Sequence, residues 1–381
     1  FVVFFRKRKT MKTAVIFVAL FVVCAFSEHT KWHQLNEDYT FEVYMKEWGK
    51  KYEEPEIELR REKFTQNLAR ILEHNKKQSS FKMGVNHLTD YFDAELKGMH
   101  GYDKGMGRTR ERKLAPPSPK QIVQALPKEV DWRGKGILTA VKDQGQCGSC
   151  WTFASAAQIE TYTAMATNEL PVLSEQQILD CANNSQQCGG TGGCEGGIAQ
   201  LAYETMMKNG MASEWTYPYQ SYFGQDFGQG GSDCRFDKSK MGTAATVKGY
   251  VDLESNNYNA VMSTLANIGP LAVNVDASQW HLYESGVFPC DMTTNIDINH
   301  VVQLVGYGTD DTSGDDYWLV RNSWSPAFGE EGFIRIYRFQ NQTCGTDNTP
   351  LDGTGCVGTS PSSVTVCGSC GMIYDASYPK C

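Results

Sequence analysis

No run of apolar residues in this 381-residue sequence exceeds the one from Ala14 to Phe26, and that run falls well short of the roughly 20 residues a membrane-spanning helix needs. A membrane-embedded body is thereby set aside. Basic residues are scarce after position 125: residues 126–381 hold 13 Lys and Arg against 28 Asp and Glu, which argues against nucleic acid as a partner. Histidine is scarcer still. Five of the seven, His29, His33, His74, His87 and His100, precede residue 126, so only His281 and His300 are available to any imidazole chemistry in the acidic body. No internal repeat is found beyond CGSC at 147–150 and again at 367–370. The composition, 41% hydrophobic and 21% charged, excludes a disordered chain and allows more than one folding unit.

What is present begins with a leader. Residues 1–10 lie upstream of the expected start at Met11. From there Lys12, the apolar run and the small residues Ala25 and Ser27 read as a signal peptide over 11–27, cut before Glu28. Entry into the secretory route makes disulfides the default fate of the 13 cysteines. The sequons at Asn183 and Asn341 fit that route as glycosylation sites. A C-x-x-C pair such as Cys147 and Cys150 has three readings: a redox couple, half of a zinc site, or a disulfide cysteine beside a reactive one.

Between the leader and residue 125 the sequence reads as helical and then as linker. Glu56, Arg60, Phe64, Asn67, Ile71 and Asn75 recur every three or four residues and share one side of a helix. Such a mixed stripe needs fixed polar partners if it is buried. "GVNHLTD" follows, and then the basic, proline-containing stretch Arg108–Lys120, suited to an exposed, cleavable connection. In the body, residues 150–166 have helix formers and no Gly or Pro, with Ser149 placed to cap the start. Strands are expected at Leu271–Val275, Val301–Tyr307, Tyr317–Asn322 and Gly332–Tyr337. Helices before strands indicate an α+β body of two lobes.

The chemistry centres on Cys150. A thiol at a helix N-terminus with an imidazole nearby is favoured as thiolate. "QGQCGSCW", "INHVVQLVGYG" and "YWLVRNSWSPAFGEEGFIRI" stand in that order, and together they resemble the papain-like cysteine proteases, whose nucleophile lies in a signature similar to CGSCW. The resemblance implies Cys150 as nucleophile, His300 as its proton partner, Asn322 orienting the ring under a shielding Trp324, and Gln144 as a donor to the oxyanion. It implies no cofactor and no metal. It also implies disulfides Cys147–Cys194, Cys181–Cys234 and Cys290–Cys370, leaving Cys188, Cys344, Cys356, Cys367 and Cys381 unassigned. A bridge is expected among Cys344, Cys356 and Cys367, inside an insertion at about 344–369.

By the same resemblance Gly196, Gly197, Ile198, Asn274, Val301, Asp375 and Trp324 bind substrate, and Asp375 near the pocket floor, if it does not turn to solvent, admits Arg beside bulky apolar side chains. The helix stripe resembles the cathepsin L-like inhibitory prosegment, completed by Gly84, Asn86 and Asp90 of "GVNHLTD" with Leu88 in place of Phe. Thr152, Ser325 and Phe328 depart from the family pattern without touching a chemical role. The expected protein is a zymogen with prosegment 28–125 and catalytic domain 126–381. Its implied fold is α+β, with a helical left lobe, a β-barrel-like right lobe, a cleft between them and a helical prodomain in front. Its expected partners are peptide and protein substrates, its own prosegment and cystatin-type inhibitors, and it is expected to act as a monomer. Acid activation is expected in a lysosome, a vacuole or outside the cell, with protonation of carboxylates such as Asp90 as trigger. Two competing readings are an inactive papain-like scaffold and a thiol oxidoreductase on Cys147 and Cys150.

Overall fold

The computed structural model describes residues 29–100, 126–225, 234–293, 295–339, 343–358 and 361–381. The leader, the basic stretch Arg108–Lys120 and the sequon at Asn341 lie outside the described residues.

The N-terminal unit contains α1 (Phe41–Glu47), α2 (Glu56–Lys76), the short strand β1 (Phe81–Met83) and α3 (Asp93–Met99). Thr40 Oγ1 caps α1 by accepting from Val43 N–H. The helical repeat turns Phe64, Leu68 and Ile71 of α2 inward, where Phe64 stacks on Tyr44 with ring centroids 4.8 Å apart. The polar members of the stripe have the partners burial demands. Arg60 binds Glu56, Glu95 and the Asp90 carbonyl. Asn67 Nδ2 donates to Thr89 O, and Asn75 exchanges two hydrogen bonds with Met83. Asp90, fully buried, accepts from Tyr44, Lys50 and Tyr52.

After residue 125 come β2 (Val130–Asp131), α4 (Cys150–Thr167), α5 (Glu175–Cys181), α6 (Ala199–Asn209), α7 (Lys238–Met241), β3 (Gly249–Asp252), α8 (Tyr258–Asn267), β4 (Leu271–Val275), β5 (Tyr283–Phe288), β6 (His300–Thr309), β7 (Asp316–Arg321), β8 (Phe333–Tyr337), β9 (Cys344–Asp347), β10 (Val364–Cys367) and β11 (Ala376–Lys380). Helices α4, α5 and α6 enclose one core, including Trp151, Ile159, Leu179, Tyr203 and Met206. The sheet encloses the other, with Val273, Trp280, Leu304, Trp318 and Ile336. Helix α4 lies between them and is buried all round from Cys150 to Ala164, as an apolar helix without a polar face must be.

The sheet runs β1-β5-β8-β7-β6-β4-β11-β3, with β2 also on β6. Pairings are antiparallel except β5 with β8. The lobe expected to be barrel-like is here an open sheet: its path ends at β1 and β3, which do not pair with each other. The outer edge of β5 is taken by the N-terminal unit, with Phe81 opposite Gly286 and Lys82 opposite Ser285, so that edge is covered.

Candidate active site

Helix α4 delivers Cys150 to the junction of the two cores. Its start differs from the sequence expectation, because Ser149 occupies the cap position without a capping hydrogen bond. Its hydroxyl pairs with Tyr219 at 2.8 Å instead, while the Thr152 hydroxyl donates back to Ser149 O. The preceding loop is pinned by the Cys147–Cys194 disulfide. Cys150 is a free cysteine, 2% exposed.

β6 and β7 bring the other groups together. They pair antiparallel with Gln303 opposite Arg321, so His300 at the start of one strand faces Asn322 just past the end of the other. His300 Nε2 lies 2.8 Å from Asn322 Oδ1. That oxygen also accepts from Ser323 N–H, which marks it as the carbonyl and makes Nε2 the protonated ring nitrogen. Nδ1 is buried without a partner among the described residues. The Trp324 ring covers the pair, 4.8 Å from the imidazole centroid, and is 1% exposed. Trp280 meets the imidazole edge-on at 6.2 Å. Sequence reasoning misses Trp280, since a tryptophan in an ordinary strand-like stretch carries no signal of what it packs against.

Gln144 is wholly buried and held at both ends. Its backbone N–H donates to Ser323 O, its side-chain oxygen accepts from Ser323 Oγ, and its own carbonyl accepts from Tyr219. The amide nitrogen donates to Cys147 O of its own loop at 2.9 Å and, across to the N-terminal unit, to Met99 O at 2.7 Å. The next residue, His100, packs its ring 5.9 Å from His300 and 5.6 Å from Trp324. The end of α3 therefore sits on the site.

This cover changes the site's electrostatics. Burial pushes the Cys150 thiol up to about 11, partly opposed by the Val301 N–H beside the sulfur. Burial also pulls the His300 imidazole down to about 4, against the Asn322 hydrogen bond. The covered pair is a neutral thiol and a neutral imidazole at pH 7, because two charges cannot be solvated there.

Three further contacts tie the N-terminal unit to the body near the site. Gly84 N–H donates to Leu282 O, and Asn86 Nδ2 to His281 O at 2.8 Å. Gly84 also lies so close to Glu284 that a Cβ would fall 1.8 Å from its Oε2.

The residues assigned to substrate binding fall on two walls. Asn274 and Val301 are register partners on β4 and β6. Gly196, Gly197 and Ile198 lie opposite, at the start of α6, where Gly197 has no room for a Cβ against the Trp151 ring. Asp375 does not turn to solvent: it is 3% exposed, and its carboxylate accepts from Asn274 Nδ2 at 2.9 Å and Gln200 Nε2 at 3.3 Å. A buried carboxylate needs such donors.

Cys181–Cys234 and Cys290–Cys370 are also bonded in the structure, with Cys188–Cys356 and Cys344–Cys367 in addition. Because Cys147 is bonded to Cys194, it offers no thiol to a redox couple with Cys150. Asn183 is exposed. No metal-binding cluster is found among the described residues.

Residues 126–354 match the papain family of cysteine proteases, and residues 41–96 match the cathepsin propeptide inhibitor domain. The chain belongs to the papain family of cysteine proteases. It is 36% identical over 309 residues to a cathepsin L-like protein of Caenorhabditis elegans, covering 79% of this chain and 87% of that one. It is 35% identical to cathepsin S of Bos taurus over 321 residues, covering 82% and 91%. Among solved structures, digestive procathepsin L 3 of the Tenebrio molitor larval midgut superposes with a TM-score of 0.69 at 31% identity, covering 89% of this chain and 97% of that one. The protein is a cathepsin L-like cysteine endopeptidase made as a zymogen, in a two-lobe α+β papain fold, and its N-terminal unit is its own intramolecular inhibitor.

Proposed function

We propose that Cys150 is the nucleophile, His300 its proton partner, Asn322 the residue that orients the ring and Gln144 the side-chain donor to the oxyanion. One observation carries the reading: Gln144 Nε2 already holds a carbonyl oxygen, that of Met99, while the next residue, His100, packs on the ring of the His300–Asn322 pair and Cys150 is kept as a buried free thiol. Once the prosegment leaves, water reaches the pair and charge separation becomes feasible in the cleft. The Cys150 proton passes to His300 Nδ1, and the thiolate adds to the substrate carbonyl carbon. The carbonyl oxygen takes the displaced electron pair and is held by Gln144 Nε2–H and the Cys150 backbone N–H. Collapse expels the amine, which takes the proton from Nδ1, and leaves a thioester on Cys150. Water, giving a proton to Nδ1, then releases the acid and the free thiol.

The reading includes a prosegment from 28 to 125 removed at acid pH from a catalytic domain of 126–381. It includes a pocket built on Ile198, Asn274 and Val301 that takes a bulky apolar side chain. It also includes the secretory route to a lysosome, a vacuole or the exterior, and a monomer open to cystatin-type inhibitors. In keeping with that route, no helix among the described residues is long and apolar enough to cross a membrane. The test is to activate the proenzyme, treat it with an epoxide inhibitor of papain-type enzymes and map the modified residue. Modification at Cys150 alone is expected, and Cys150→Ser is expected to be inactive. An unmodified Cys150, or activity in Cys150→Ser, would end the proposal.

A further inference from the structure

The chain between β8 and β11 leaves the sheet lobe and crosses to the helical one. On the sheet side it is held by three hydrogen bonds to the segment just before His300. Ile296 N–H donates to Thr346 O, Asn348 N–H to Asn295 Oδ1 and Thr349 Oγ1 to Asp297 Oδ1, at 2.8 to 2.9 Å. At Gly353 it presses on Ile298, where a Cβ would fall 1.8 Å from the Ile298 carbonyl oxygen, so this approach is open only to glycine.

Two residues further it reaches the other lobe. Gly189 N–H donates to Gly355 O at 2.9 Å, and Cys188 is bonded to Cys356. Gly353 O and Ile198 Cγ2 both abut Gly189, 2.6 and 2.8 Å from where its Cβ would stand, with Gly197 O at 3.0 Å. Gly353, Thr354 and Gly355 are all buried. The other disulfides of the described residues stay within one lobe or within the insertion. Cys188–Cys356 alone among them ties lobe to lobe.

The crossing lies at one particular end of the cleft. It presses on Ile298, two residues before His300, and on Gly189, which itself abuts Ile198 and Gly197 of the helical wall, whereas Gln144 and Trp324 are joined to each other's neighbourhood through the Asp143–Trp324 bridge. In the catalytic reading, on which this inference rests, Ile198 and Val301 receive the acyl part of the substrate.

We propose that residues 350–356 are a disulfide-locked strap that ends the acyl side of the cleft just beyond the pocket for the second residue. An extended peptide advances about 3.3 Å per residue, so a third acyl-side residue meets the backbone of Gly353–Gly355 and has to turn out of the cleft into solvent, as a loop of a protein substrate can. The enzyme therefore selects substrates by what lies within two residues of the scissile bond and draws no binding energy from residues beyond them.

The test uses the activated full-length product and amino-capped peptides with two, three or four residues before one fluorogenic leaving group. In the wild type, lengthening from two residues to four is expected to leave kcat/KM within about twofold or to lower it, since no remote contact is gained. In Cys188→Ser/Cys356→Ser, the four-residue peptide is expected to gain about tenfold while the two-residue peptide is unchanged, because the strap can swing away. A wild-type gain of about tenfold with length would overturn the strap, as remote contacts would then be in use. So would a double variant that turns over the short peptide normally and gains nothing on the long one. Should the double variant fail to fold, the wild-type series decides by itself. Failure of the catalytic reading is a separate result, namely no turnover of any peptide and no epoxide on Cys150.

Discussion

Gln144 illustrates how a side chain becomes a reagent through restraint at every other atom. Ser323 holds its backbone and its amide oxygen, and Tyr219 holds its carbonyl. Only Nε2 is left to face a ligand. Gln144→Ala is expected to lower kcat by about 10²–10³ with little change in KM, the usual effect of losing one preorganised oxyanion donor; steady-state kinetics on a two-residue peptide measures it. A change confined to KM would mean that the amide positions substrate and does not stabilise the transition state. Legibility at this scale was uneven. Cys150, His300 and Asn322 could be singled out because their residue types are rare or their motifs long. The packing of Trp280 and the inward turn of Asp375 could not, since both depend on neighbours far along the chain, Trp324 for the one and Gln200 for the other.

At the scale of elements, α3 and β1 work as a stopper. β1 extends the sheet at β5, and the end of α3 places Met99 O and His100 on the site. Three imidazoles are held below their ordinary range where the two units meet. Burial lowers His300 to about 4, with only Asn322 opposing. Burial lowers His100 to about 3, helped by His300 and His281. Burial lowers His281 to about 4, helped by Arg70 and Lys63 and opposed by Asp93. His100 and His281 keep a partly exposed edge, so their share is smaller.

The direction follows from proton counting. Below about 6.5 the released imidazoles bind protons and the docked ones do not, so docking is at full strength above that pH and weakens as pH falls toward about 4. In a Cys150→Ser proenzyme, which cannot process itself, amide exchange at residues 81–84 and 93–99 is expected to accelerate over that window after correction for the intrinsic pH effect. A flat profile from pH 7 to 4 would exclude this route to activation. The α2 stripe was visible as a period in the sequence, whereas its purpose, polar groups tied to the loop bearing Thr89 and Asp90, was set by the fold.

For the whole molecule, the junction of the lobes is held by a charged cluster behind the site. Lys142 binds both Glu160 and Glu175, each almost fully buried, and Leu173 O. Burial alone would strip its proton, but the Glu175 and Glu160 carboxylates outweigh that and hold it as ammonium. Thr139 bridges Glu160 to Arg321, the residue before Asn322. Lys142→Ala leaves two buried carboxylates facing each other and is expected to cost about 3–5 kcal/mol of stability, read as a lower midpoint in denaturant unfolding. Loss of less than about 1 kcal/mol would place the pair with solvated surface bridges.

The sequence by itself determined the nucleophile's helix, the four strands β4, β6, β7 and β8 and the periodic stripe of α2, because each is written in residues close together along the chain, and its ordered motifs carried the resemblance that gave the catalytic class. A bridge was expected among Cys344, Cys356 and Cys367, but which two pair and what the remaining cysteines do only the tertiary structure decided. Cys188 joins Cys356 across 168 positions, Cys344 joins Cys367, and Cys381 stays free. The reason is geometric: a disulfide forms only where two α-carbons come within a few ångströms, and which distant segments do so is settled by how the two lobes pack.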